Sequence, residues 1–302
     1  MTPILHHYPA SPFAELIRIA LGYKGSEWRS VVVPNMMPKP GQTELTGGYG
    51  RTPVLQIGAD IYCDSAAIID ALEAFGPTLY PAPLGALHRI VASWTGAAQF
   101  AAHVGAAMEK LPPALLPPGF AEDRRQRFVG FDFDAMPQFA PHLKTQVLTA
   151  AVWLESVLAD GRAFIGGDAA GHGDLALYSN LWFVRSIPFA KDVADRLFAH
   201  AALAAWFDRI AAFGHGTPVD TTADEAIAIA RDAAPAAASG SVDAGFTRGQ
   251  AVKVRTEGSN DEPVAGTLLR CDASGITVLS NSTQAGQVAV HFPRLGQIVM
   301  AG

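Results

Sequence analysis

The hydrophobic pattern of the first eighty residues changes period in a regular way. Residues 2–7 are apolar and β-like and predict a strand that turns at Pro9. From Phe13 the period becomes helical. Phe13, Leu16, Ile17 and Ala20 share one face of a helix over residues 11–23, with Ser11 as N-cap, Pro12 at the first position and Gly22 or Gly25 at the end. The β-branched run 28–33 predicts a second strand. Residues 34–50 are rich in Pro and Gly and read as a long loop. Residues 53–57 and Asp60–Cys63 predict a hairpin turning at Gly58. Asp64 and Ser65 then open a helix that buries Ile68, Leu72 and Phe75 and stops at Gly76-Pro77. The order is β-α-β, a hairpin, then α, which predicts an α/β domain over residues 1–80.

Residues 76–85 read as a linker, and long helical patterns follow. Leu87, Ile90, Val91, Trp94, Ala98 and Ala101 form a first stripe, broken by the Pro-rich stretch 111–119. A short charged helix is expected over 121–129, an amphipathic one over 141–159, a strongly apolar and central one over 174–185, and another over 194–213. Thr222-Ala-Asp-Glu225 is a capping box that opens a last helix to about Asp232. These predict an all-α domain over 86–233. Residues 233–245, rich in Ala, Gly and Ser, read as a flexible linker. Five short β-like runs follow: Ala251–Thr256, 263–271, 276–280, 287–292 and 297–300. They predict a small all-β domain over 246–302, of SH3-like barrel size.

Composition narrows the function classes. The 302 residues are 49% hydrophobic with a net charge of −6, so a packed core is expected and nucleic acid and acidic membranes are poor partners. The two cysteines, Cys63 and Cys271, are far apart and outside any CxxC, which excludes a disulfide scaffold and a cysteine metal site. No apolar run reaches spanning length. We expect a cytoplasmic protein with no signal peptide. Cys63 reads as a small buried residue. His6 and His7 are adjacent on a strand, point to opposite faces and cannot chelate together, so no metal site is expected.

Three local features have both a plain and a chemical reading. Ser11 caps a helix, and the same position, among free N–H groups at the positive end of the dipole, suits an anion such as a thiolate. Thr52-Pro53 starts a strand after a glycine-rich turn. An ordinary trans bond is the plain reading, and a cis bond would leave the Thr52 N–H and C=O facing a cleft, where an extended peptide could pair with them. Asp64-Ser65 caps a helix, and that end could also hold a carboxylate while the Asp takes an ammonium. Together the three suit a small, extended, zwitterionic thiol peptide.

The stretches SPFAELIRIAL (11–21), TPVL (52–55) after a glycine-rich loop, and DSAAIIDALE (64–73) resemble the N-terminal domain of the cytosolic glutathione transferase superfamily. Phe164-Ile-Gly-Gly-Asp168 followed by Asp174-Leu-Ala-Leu-Tyr178 is similar to that family's helical signature. The resemblance spans roughly residues 1–230. It implies a thioredoxin-like glutathione-binding domain, an all-helical domain and, beyond them, the extra β-module. It places Pro53 on the family's cis-proline, Thr52 on the residue that pairs with the cysteinyl unit, and Asp64 and Ser65 on the pair that holds the γ-glutamyl end, with Arg51 beside them. Ser11 falls where omega-type members have Cys and His7 where tyrosine-type members keep Tyr. The resemblance therefore implies a Ser-type transferase in which Ser11 and the helix N-terminus activate the glutathione thiolate toward a small hydrophobic electrophile. Glutathione would be a co-substrate, and peroxidase, dehalogenase or isomerase chemistry stays open. Expected pocket residues between the domains are Tyr8, Phe13, Phe100, His103 and Trp182. The signature departs at Gly171, where Ser or Thr is usual, at a cost to capping. A homodimer is the family habit. The alternative reading is a non-catalytic glutathione-transferase-like scaffold whose C-terminal β-module binds partners.

Overall fold

The computed structural model describes residues 1–130, 132–243 and 245–302. Its sheet grows outward from β1 (Ile4–His7), all four residues of which are buried. α1 (Pro12–Tyr23) returns the chain to β2 (Glu27–Val32), which pairs in parallel with β1. α2 (Pro40–Thr46) leads to β3 (Val54–Ile57), antiparallel to β1 on its other side. β3 turns into β4 (Asp60–Cys63), and α3 (Ser65–Leu72) follows. Ser11 caps α1 as its sequence predicts, its Oγ accepting the Ala14 N–H at 3.1 Å.

The helical part runs through α4 (Gly85–Trp94), a π-helical turn (Thr95–Gln99), α5 (Phe100–Met108), α6 (Phe120–Arg127), α7 (Met136–Leu158), α8 (His172–Ser186), α9 (Lys191–Leu197) and α10 (Ala201–Ala211). α8 is central and packs against α1, α4 and α5. Asp174 in its first turn is fully buried and takes three donors: Ile165 N at 2.9 Å, Gly171 N at 3.0 Å and Trp206 Nε1 at 2.8 Å. One carboxylate thus ties the preceding loop, the start of α8 and α10 together.

After the helices the chain returns to the sheet. β5 (Thr217–Asp220) adds in parallel to the free edge of β2, and α11 (Ala223–Arg231) follows, opened by the expected capping box between Thr222 and Glu225. Then come β6 (Ala251–Thr256), β7 (Val264–Asp272), β8 (Gly275–Ser282), β9 (Gly286–Phe292) and β10 (Gln297–Ala301). These five do not close on themselves. β9 pairs in parallel with β4, and the result is one ten-stranded sheet in the order β10-β6-β7-β8-β9-β4-β3-β1-β2-β5. The expected closed SH3-like barrel is corrected to an open extension of the first sheet, because the outer edge of β9 is used by β4. Val252, Val264 and Val290 share a core with Ile61, Cys63 and Val54. The other face of the first strands packs with the helices around Leu5, Ile17, Ile69 and Leu175.

Other boundaries move for local reasons. Part of the expected loop 34–50 is α2, about two Pro-started turns closed by Gly47 in the left-handed region (φ 69). The helix expected from 141 starts at Met136 and carries Pro141 inside it. The helix expected over 194–213 is two helices, broken at residues 198–200. β5 was not expected, and its Pro218 is tolerated because the strand lies at an edge. The linker 233–245, of which residue 244 lies outside the described residues, is docked: Ala236 N donates to Asp60 Oδ2 at 2.9 Å and Asp243 N to Cys271 O at 2.8 Å.

Gly171 is explained by its neighbour. A Cβ there would lie 2.3 Å from Nδ1 of the buried His88 ring. His88 fills the space that a capping side chain would need. Restoring the family's Ser, normally a gain at an N-cap, should therefore fail here. We predict that Gly171→Ser lowers stability by about 1–3 kcal/mol, as overpacking does, and that adding His88→Ala recovers part of the loss, both read by denaturant unfolding.

Candidate functional site

The sheet register brings the three chemical features to one end. Val54 on β3 lies beside His6 on β1 and beside Cys63 on β4. One step further along the strands stand Pro53, His7 and Asp64. The Thr52–Pro53 bond, the Asp64–Ser65 corner and the turn from β1 into Ser11 therefore share this end of the sheet. The Thr52–Pro53 bond is cis. Among the described residues the Thr52 N–H and C=O have no hydrogen-bond partner.

Ser11 is 1% exposed. Its Oγ accepts from Ala14 N and donates to no group among the described residues, so its proton is free for an acceptor arriving at the helix end. Asp64 is the sole non-glycine residue at positive φ (79°) among the described residues. Holding a β-carbon there costs of order 1–3 kcal/mol. Its Oδ1 caps α3 by accepting Ala66 N–H at 3.0 Å. Burial raises the Asp64 pKa, and the Ala66 N–H and the Arg51 charge pull it back. The Arg51 guanidinium lies 5.0 Å from the Phe128 ring centroid, and its buried Nε has no partner.

Two residues of the Pro- and Gly-rich segment hold this corner in place. Lys39 Nζ donates to Gly50 O at 3.0 Å and to Thr52 Oγ1 at 2.6 Å. Gln42 Nε2 donates to Tyr49 O at 3.1 Å and to Arg51 O at 2.7 Å, and its Oε1 accepts from Thr52 Oγ1 at 3.2 Å. Lys39 is buried, and burial first, then the Arg127 and Arg124 charges, lower its pKa to about 7. Its ammonium also faces the Tyr8 ring at 5.8 Å. Sequence reasoning missed both residues. A single Lys and a single Gln in an irregular stretch have no spacing signal. Their sole trace is that α2 starts at a Pro.

α6 closes over this loop. Arg124 donates to Asn35 O at 2.7 Å, and Arg127 makes a bidentate pair with Asp261 at 2.6 and 2.7 Å. Asn260 N donates to Arg127 O and Val129 N to Gly258 O, so the β6–β7 turn holds the end of α6 beside Arg51.

The expected pocket residues are placed as follows. Phe13 and Phe100 meet at 4.6 Å, joining α1 to α5, and Tyr8 lies against Lys39. Trp182 lies 5.9 Å from the Arg18 guanidinium. That guanidinium clamps the β1–α1 turn through Pro9 O at 2.9 Å and pairs with buried Glu15. His103 is buried in α5 with Nδ1 on Gln99 O at 2.7 Å, and burial lowers its pKa to about 4. His7 lies between Arg18 NH1 and Ser30 Oγ, each at 3.1 Å, while His6 turns the other way to Gln56. Burial holds both imidazoles neutral, with pKa values near 4. Among the described residues no group of three or more His, Cys, Asp or Glu could hold a metal ion. Burial raises the Cys63 thiol well above its usual pKa, which suits an inert core residue. Among the described residues no helix is long and apolar enough to cross a membrane.

Comparison with known proteins places the fold. Residues 5–77 match the family "Glutathione S-transferase, N-terminal domain", and residues 123–209 the family "Glutathione S-transferase, C-terminal domain". The crystal structure of a GST-like protein from Pseudomonas syringae is 35% identical, covers 100% of this chain and 99% of its own, and superposes with a TM-score of 0.83. That match takes in the C-terminal strands. Glutathione S-transferase III in apo form (20% identity, TM-score 0.53, 70% of this chain and 92% of that one) shares the fold. So does glutathione transferase F2 from Populus trichocarpa (15%, 0.52, 69% and 93%). No curated protein matches by sequence. By its full-length match to the Pseudomonas syringae protein, and by the two family domains in order, the chain belongs to the glutathione transferase superfamily.

Proposed function

We propose that this protein binds glutathione at the sheet end described above and delivers its thiolate to a small apolar electrophile. The observation that carries this reading is the convergence of Ser11, Thr52 and Asp64–Ser65, each with an uncommitted backbone or hydroxyl group. The Thr52 N–H and C=O pair with the cysteinyl backbone as an added strand. The α3 N-terminus at Ser65 takes the γ-glutamyl carboxylate, Asp64 takes its ammonium, and Arg51 lies beside them. The thiol then reaches Ser11 at the start of α1. The Ser11 hydroxyl donates to the thiolate, and with the helix dipole it favours the ionised sulfur. The electrophile enters beside Phe13, Phe100 and Tyr8. Glutathione is consumed as co-substrate in this reading, and no metal is required.

The expected result for Ser11→Ala is retained glutathione binding with a raised thiol pKa. Loss of one hydrogen bond to a charged acceptor is worth about 1.5–3 kcal/mol, or about one to two pKa units. Thiolate absorbance of bound glutathione against pH measures this. An unchanged thiol pKa in the variant would remove Ser11 from the mechanism.

The alternative reading, a non-catalytic scaffold whose C-terminal β-module at residues 246–302 binds partners, would use a module that is built into the first sheet. β9 completes the ladder of β4, and the two parts share one core.

We further infer a homodimer through α4 and α7. Leu87 and Ile90 are exposed on α4, Val152, Trp153 and Val157 on α7, and Trp94 stacks on Trp153 at 6.4 Å to join the two stripes. A contiguous apolar face of this kind suits a second copy of the chain. Analytical ultracentrifugation should show a dimer for the wild type and a monomer for Trp153→Glu. A wild-type monomer would refute this interface.

A further inference from the structure

A cavity of about 460 Å³ lies where the β-extension meets α3, lined also by the linker residues 236–239. Its floor is a row of cross-strand neighbours. Arg270 on β7 stands opposite Thr277 on β8, Thr277 opposite His291 on β9, and His291 beside Tyr62 on β4. Directly opposed residues share a face of the sheet, so these four side chains line up.

Three of the four are fixed. The His291 ring stacks on Tyr62 at 4.5 Å and 15°. His291 Nε2 lies 2.8 Å from Asp60 Oδ1, and Nδ1 lies 3.0 Å from Thr277 Oγ1. The Asp60 carboxylate accepts a hydrogen bond from Nε2–H, which leaves Nδ1 to accept the Thr277 hydroxyl. Asp60 Oδ2 accepts from Ala236 N and thereby anchors the linker over the floor.

Arg270 is different. Among the described residues it makes no hydrogen bond and no ion pair, and its Nε is buried without a partner. The carboxylates around it are taken. Asp60 pairs with His291, Asp70 with Arg89 at 2.7 Å, and Glu73 with Lys24 at 3.0 Å. Asp272, whose charge it feels, accepts from Ser241 N at 3.1 Å and Ser274 N at 2.9 Å. Among the described residues, one guanidinium thus lines the cavity with no carboxylate at ion-pair distance, and the Asp272 charge acts on it only from farther away. The adjoining walls carry small apolar residues, Ala67 and Ala71 on α3 and Ala236, Ala237 and Ala238 in the linker, with the paired Asp70, Arg89 and Glu73 beside them.

We propose that this cavity binds a small organic carboxylate, its oxygens on Arg270 and its hydrocarbon body between α3 and the linker alanines. A guanidinium is the natural partner of a planar carboxylate. The volume lies in the ordinary range of small-ligand sites, about 300–1,000 Å³. The site is separate from the thiol site: Asp64 and Ser65 lie at the start of α3, and the cavity touches Ala67 and the residues after it.

Calorimetric titration with sodium octanoate, at saturating glutathione, tests this. One site is expected in the wild type. Binding should weaken about tenfold or more in Arg270→Gln, partly recover in Arg270→Lys, and be lost in Ala238→Trp, which fills the cavity from the linker and leaves the sheet untouched. Inorganic phosphate, which offers charge without a hydrocarbon body, should bind more weakly than octanoate. Ser11→Ala should bind octanoate as the wild type does. Absence of octanoate binding, equal affinity in the wild type, Arg270→Gln and Ala238→Trp, or an octanoate affinity that is lower at saturating glutathione than without glutathione would each overturn the proposal.

Discussion

The β4–β9 ladder is the constraint on which the rest depends. An unpaired edge at β4 would expose a row of N–H and C=O groups directly beside the site end of the sheet. Residues 289–291 fill that edge by pairing with Asp60–Tyr62 from more than 220 residues away in sequence. Once this pairing is made, the last five strands are part of the first sheet, with a shared core that neither part completes alone. The pairing also carries the β6–β7 turn to α6. There Asp261 holds Arg127, and the end of α6 is fixed against the loop that presents Thr52. The extension therefore supports the candidate site from outside it.

The site end is organised by cations. Lys39, Arg51, Arg124 and Arg127 cluster around the 35–52 loop, and the carboxylates of Asp123 and Asp261 are engaged by Arg124 and Arg127. The Lys39 pKa is lowered to about 7 by burial first and then by the Arg127 and Arg124 charges, so part of the shift reflects this crowding. An anionic peptide beside Thr52 would relieve it, since an added negative charge stabilises every ammonium and guanidinium nearby. Electrostatics and free backbone groups thus favour the same class of ligand. The plain reading of Ser11 and Asp64 as helix caps is also true, because both side chains cap. Capping uses one oxygen lone pair in each, and the remaining groups are open to a ligand.

Much of the fold could be read from the sequence wherever period and caps agreed. The first strand and helix, the β3–β4 hairpin, α8 and the α11 capping box each combine an apolar period with a residue that starts or stops it. The five late strands were visible as alternation, but alternation says which residues share a face and nothing about which edge finds which partner. The barrel expectation failed at that point. The split between α9 and α10 at residues 198–200 has no Gly or Pro to announce it. Asp64, Ser65 and Thr52 stood out because caps and X–Pro steps are local signals. Lys39, Gln42 and Arg127 did not, since their roles exist only through residues brought close by tertiary packing. Gly171 looked like a lost cap, and the reason for it, the His88 ring, lies 83 residues earlier.

The central claim is that glutathione pairs with the free backbone of Thr52 at the cis Thr52–Pro53 corner. Amide hydrogen exchange with and without glutathione tests it most directly. The account predicts that glutathione slows exchange at Thr52 and Ser65 more than at the other amides of the neighbouring β3, β4 and α3. Unchanged exchange at both residues in millimolar glutathione would contradict it.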